Sequence, residues 1–220
     1  MKLSYSCCYA AILFLVVIAF GGGCASSGSS NQTSTAETSP AKLKKDKDLQ
    51  GVWLKPDFNF TGKPALTIEL TNFKATERPN EAAMRAFAVK ELREQIAKAA
   101  GETGLFASVA ANDNPPAAAT NSLRLVNTII EYEKGGGGAR YFAGLYGGGQ
   151  PVLKVRGEMF DNSNELVFVY EAKRSGESAG ARLGGVFKSD EEIQREDIRD
   201  LAIDLGDFMM RSAGLQPPKR

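Results

Sequence analysis

The chain has 220 residues, enough for one domain of ordinary size with appendages, and its 27 basic and 26 acidic side chains nearly cancel. Nothing in that overall balance draws it to nucleic acid or to anionic surfaces. It contains no histidine, which excludes Ser-His-Asp and Cys-His nucleophilic sites and every histidine-ligated metal centre.

Lys2 is followed by an apolar run from Tyr9 to Phe20, then by Gly21, Gly22, Gly23 and Cys24. At about 12 residues the run is short of the roughly 20 that span a bilayer as a helix. A positive start, a short apolar core and small residues behind it predict a secretory signal peptide over residues 1–23, with an uncleaved anchor as the alternative. The Gly-Gly-Gly-Cys sequence resembles the lipobox of bacterial lipoproteins, where the cysteine is diacylated and becomes the mature N-terminus. That pattern usually has Leu three positions before the cysteine, where Gly21 stands here. The resemblance implies lipidation at Cys24. Ala25 in place of Asp after the cysteine implies the periplasmic face of the outer membrane, against inner-membrane retention or a soluble secreted product. Cys7 and Cys8 lie in the leader, so the mature chain would keep no thiol for a disulfide, a nucleophile or a metal. Two acyl chains suffice for stable anchoring, where one binds only marginally.

Residues 24–48 are rich in Ser, Thr, Asn, Gln and Lys without apolar periodicity and read as a tether behind the lipid. Residues 49–64 form a lead-in whose Trp53 is expected at the domain edge. A single domain is expected over 65–213, with a tail at 214–220. Ala65–Phe73 alternates like a strand. A helix follows from Pro79 and its cap candidate Asn80 to Gly101, with Met84, Ala88, Leu92, Ile96 and Ala99 as its buried stripe. Strands are expected at Leu105–Ala110, Ser122–Glu133, Pro151–Phe160 and Glu165–Arg174, the last two joined by a tight turn at Asp161–Asn164. Ser189 with Glu192 predicts a capping box for a closing helix, with Ile198, Leu201, Ala202, Leu205 and Phe208 on its apolar face and Gly214 and Pro217 beyond its end. The expected fold is α+β: two helices on one face of a mostly antiparallel four- to five-stranded sheet, in the order β-α-β-β-β-β-α. A crossover through the first helix makes the first two strands parallel.

Between Glu133 and Val152 lies a segment with two glycine runs around "ARYFAGLY". A phosphate-binding loop needs glycines followed by Lys and Ser or Thr at a helix start, whereas Gly147–Gly149 leads into Gln150 and Pro151. Eight residues cannot span a membrane. Ala139, Ala143 and Gly147 recur four apart, as do Gly144 and Gly148, so a helix here has a flat side, with Tyr141, Phe142, Leu145 and Tyr146 elsewhere. That side can lie on the domain's own core, meet a protein partner or a second copy, or meet lipid. Gly180–Arg182 repeats the Gly-Ala-Arg of Gly138–Arg140, and the strand directions bring both to one end of the sheet. The expected contact surface is Ala139, Arg140, Tyr141, Phe142, Ala143, Gly144, Tyr146, Gly147 and Arg182. The alternatives are an anionic ligand, lipid or glycan held by Arg140 and Arg182, or internal pairing of each arginine. Glu131, Glu133 and the acids at 190–192 carry no pattern that separates catalysis from solvation, and no Ser-x-x-Lys or Gly-x-Ser-x-Gly motif occurs. No enzyme activity, cofactor or metal is expected.

The run from Ser122 to Lys173, with its glycine segment around an Ala-Arg-aromatic core and an Asp-containing turn, looks like the bacterial lipoprotein family catalogued as domain of unknown function 4410. Gly104–Val109 matches a further piece of that pattern. The family's turn usually carries Thr-Gly where this chain has Ser163 and Asn164. The resemblance implies an envelope lipoprotein and carries no catalytic or ligand residues. The arrangement is also similar to the periplasmic α/β domains of curli-secretion and penicillin-binding-protein-activator lipoproteins, a likeness of fold.

Overall fold

The computed structural model describes residues 42–76, 81–111, 121–135, 151–175 and 188–219. Seven strands and two long helices appear among them. The strands are β1 (Gly51–Leu54), β2 (Ala65–Ile68), β3 (Asn72–Phe73), β4 (Ser108–Ala111), β5 (Ser122–Glu133), β6 (Val152–Asp161) and β7 (Leu166–Arg174). The helices are α1 (Ala82–Glu102), between β3 and β4, and α2 (Asp190–Ser212), after β7.

The α+β class holds, but the sheet is larger than expected and mixed. Its order is β1-β7-β6-β5-β2-β4, with β3 beside β5. β1/β7, β7/β6 and β6/β5 are antiparallel, whereas β2 runs parallel to both β4 and β5, and β3 parallel to β5. Three causes enlarge it. The expected first strand breaks at Glu69–Thr71 into β2 and β3. The connection through α1 makes β4 parallel to β2, and β2 then sits between β4 and a β5 of the same direction. The lead-in supplies β1, where half-buried Trp53 faces Val169 across the ladder at the sheet edge. Even residues read as the end of the tether join in, because Lys44 exchanges backbone hydrogen bonds of 2.8 and 2.8 Å with Val52.

Both helices contribute to one core. Ala88, Leu92, Ile96 and Ala100 of α1 and Ile198, Leu201, Ala202 and Leu205 of α2 are buried with alternate residues of β5, β6 and β7. Met84 and Ala99, expected in the α1 stripe, are only partly buried at its edge, and the cap candidate Asn80 lies outside the described residues. Leu105 and Phe106, expected in a strand, are buried ahead of β4 instead. α2 starts as expected: Ser189 accepts from the Glu192 amide, and Glu192 reaches back to the Ser189 amide at 2.8 Å. The Asp161–Asn164 turn also holds. Asp161 Oδ1 accepts from the Ser163 and Glu165 amides, both at 2.9 Å, and Asn164 takes φ 60°, a left-handed conformation that Asn tolerates.

The register places Asn127, Gly157 and Tyr170 in one row across three strands. The Tyr170 ring lies over Gly157 and its hydroxyl donates to Asn127 Oδ1 at 2.8 Å, two strands away. A Cβ on residue 157 would sit 2.0 Å from Tyr170 Cε1, far inside contact distance. Tyr170 is fully buried, so its ring has no room to withdraw. Gly157→Ala is therefore expected to destabilise the fold by at least about 1–3 kcal/mol in urea titrations. In a Tyr170→Leu background the added penalty should shrink, and an undiminished penalty there would show that the ring is not the obstacle.

Candidate functional site

β5 and β7 both end at one edge of the sheet, because Glu133 pairs with Val152 at the start of β6 while Leu153 pairs with Arg174. α2 begins at the same end, since Gln194 in its second turn meets Tyr132 and Glu133. The two Gly-Ala-Arg connections are thus tied at this end by their flanks. Their expected contact residues, Ala139 to Gly144, Tyr146, Gly147 and Arg182, lie outside the described residues, as does Cys24.

The phase of β5 changes just before this end. Leu123, Leu125, Asn127 and Ile129 point into the core at odd positions, and then Tyr132 does so at an even one. A register shift between Ile129 and Glu131 causes the change. One extra residue reverses which face every later side chain takes. Without it Glu131 and Glu133 would enter the apolar core and Tyr132 would face outward. With it Glu131 reaches Lys173 at 2.9 Å on the sheet face away from the helices. Tyr132, 3 % exposed, stacks edge-on to Phe73 at 5.6 Å and donates to Gln194 Oε1 at 3.0 Å. Burial pushes the Tyr132 phenol up to about 12, so it remains a donor at neutral pH. The signal was present in "TIIEYE", where the apolar alternation slips by one.

Most of the described charges near these connections are internally engaged. On the open sheet face Glu171 takes Lys154 at 3.3 Å and Arg156 at 3.1 Å, and Arg156 also meets Glu158 at 3.0 Å. On the helix side Arg174 pairs with Asp204 of α2 and reaches the Asp48 carbonyl at 3.5 Å. Arg211, farther along α2, binds Asp48 at 2.9 Å and Asp46 at 3.3 Å. Asp46 and Asp48 are thereby clasped to the last helix. Burial tends to raise the Asp46 carboxyl, but the amides of Asp48 and Leu49 and the Arg211 charge outweigh it and hold the group below its ordinary value. For Asp204 the balance is reversed. Burial, with Asp48, Asp200 and Asp207 nearby, exceeds the pull of Arg174 and pushes the carboxyl up to about 6. Among the described residues no group of three or more acidic or thiol side chains has the arrangement of a metal site, and no helix is long and apolar enough to cross a membrane.

The model of the family described as Domain of unknown function (DUF4410) matches residues 32–188. Among solved structures, the PelC dodecamer from Paraburkholderia phytofirmans aligns with 14% identity and TM-score 0.45, over 70% of this chain and 96% of that one. A point variant of the same dodecamer gives 16% identity and TM-score 0.42, over 70% and 94%. A protein from Helicobacter pylori described as a homolog of the neuraminyllactose-binding hemagglutinin gives 7% identity and TM-score 0.36, over 80% and 94%. No curated protein matches the chain.

Because the folded-state value of Asp204 lies above the ordinary 3.8, its contribution to stability is complete below about pH 3.8 and is lost as pH rises through about 6. The stability of the natural chain relative to Asp204→Asn should therefore increase between pH 7.5 and pH 5. Urea midpoints of both chains at the two values check this, and an unchanged difference would place Asp204 in a solvated site.

Proposed function

The chain belongs to the DUF4410 family, and we propose that it is a lipid-anchored envelope protein acting by contact rather than catalysis, as a binding or assembly subunit on the periplasmic face of the outer membrane. The anchor rests on the short leader and the small residues before Cys24. The contact surface rests on one observation: β5 and β7 end together, so both Gly-Ala-Arg connections leave from a single end of the sheet. The aromatic and small residues of that end, Ala139 to Gly144 with Tyr146 and Gly147, suit a protein face or a second copy.

Charge arguments favour this over an anion site. Of the described cations at this end, Lys173 pairs with Glu131, Arg174 with Asp204 and Lys188 with Glu196, so an anion would draw on Lys134, Arg140 and Arg182.

Metabolic labelling with palmitate should mark the natural chain and not Cys24→Ala, and equal labelling of both would remove the anchor. Crosslinking in native membranes should capture a specific protein or a second copy. Ala143→Leu combined with Gly147→Leu should abolish that product while thermal unfolding stays unchanged. A natural crosslinking and sizing profile from the double variant would discard this surface.

A further inference from the structure

Charge along Lys42–Asp48 is sorted by the fold. Lys42, Lys44, Lys45 and Lys47 are exposed, whereas the carboxylates of Asp46 and Asp48 turn inward to Arg211, their side chains 15% and 27% exposed. Lys47 keeps one pairing, with Asp48 at 3.3 Å, while 68% of its side chain remains open. Four lysines and Arg211 carry five positive charges against two aspartates, a local excess of three in a chain whose whole balance is 27 to 26.

The lysines are also held in place. Lys44 is bridged to Val52 by two backbone hydrogen bonds, Leu43 lies against Gly51, and Leu49 is 2% exposed in the core. A solvated tether would spread its charges over many conformations, but these contacts hold the strip at the β1 edge. Just past α2, whose Arg211 clasps the strip, Leu215 is 46% exposed, an apolar side chain of the kind that enters a headgroup layer. The chain between Cys24 and Lys42 holds a single charged residue, Glu37, so the lysines are the first cations met after the cysteine.

We propose that the Lys42–Lys47 strip is a second membrane contact, docking the domain against the anionic headgroups of the bilayer in which its lipid is anchored. This rests on the lipid-anchored reading. A tether alone lets the domain wander, whereas basic side chains next to a lipid anchor add an electrostatic hold that falls off within a Debye length. Such a contact brings the β1 edge and the C-terminal end of α2 to the bilayer and leaves the opposite sheet edge, at β4, away from it.

The test uses the chain from residue 24 onward carrying Cys24→Ser, so that no acyl chain contributes. It is sedimented with vesicles of phosphatidylcholine alone or with about 30% phosphatidylglycerol. Binding is expected only to the anionic vesicles at about 20 mM salt, with loss at about 300 mM. Lys42, Lys44, Lys45 and Lys47→Gln together should weaken partitioning about 100-fold with unchanged thermal unfolding. Lys90→Gln with Lys98→Gln, exposed on α1, should leave it unaltered. Equal binding to neutral vesicles, an unaffected quadruple variant, or an equal loss in the α1 control would each overturn the proposal. Palmitate labelling separates the two readings: its absence removes the anchor, whereas intact labelling with failed vesicle binding removes only the basic strip.

Discussion

The crossing of Tyr170 over Gly157 is the constraint on which much of the domain depends. A tyrosine on β7 reaches Asn127 on β5 only if the strand between them offers no side chain at the crossing. Once the ring is there, Phe168 stacks beside it at 6.0 Å and Phe208 of α2 stacks on Phe168 at 5.3 Å. The helix is thereby seated by an aromatic column that begins with one missing Cβ. The same crossing carries a local cost: Asn127 is fully buried, and its Nδ2 has no hydrogen-bond partner in the described fold.

From that seat α2 works as a crossbar. Gln194 meets Tyr132 at the end of β5, Asp204 meets Arg174 at the end of β7, and Arg211 meets Asp46 and Asp48 beyond the β1 edge. Seventeen residues of helix separate Gln194 from Arg211, roughly 25 Å at the standard rise, which matches a diagonal path over several strands spaced about 4.8 Å apart. One helix thus ties the end of the sheet that carries the glycine-rich connections to Asp46 and Asp48 ahead of β1.

Much of this was legible beforehand. The capping box at Ser189, the apolar face of α2, the hairpin at Asp161–Asn164 and the parallel step through α1 all follow from local chemistry, where residues a few positions apart decide the outcome. Three features were not. β1 was hidden because four residues containing Trp and Gly show no clear alternation and become a strand only beside β7. The bulge after Ile129 left a visible slip in the apolar pattern, yet its consequence, turning two glutamates outward and a tyrosine inward, depends on where the core lies. Gly157 reads as an ordinary interruption of a strand until Tyr170 is placed across it.

What the sequence determined by itself is the family and the order of most elements, because caps, turns and periodic faces are written within short windows. The tertiary structure decided that Lys42–Asp48 belongs to the fold, with its aspartates inward and its lysines outward. No local rule sorts alternating charges on a short segment. That choice was made by Arg211, more than 160 residues away in the chain, which gives the two carboxylates a partner only after α2 has crossed the sheet.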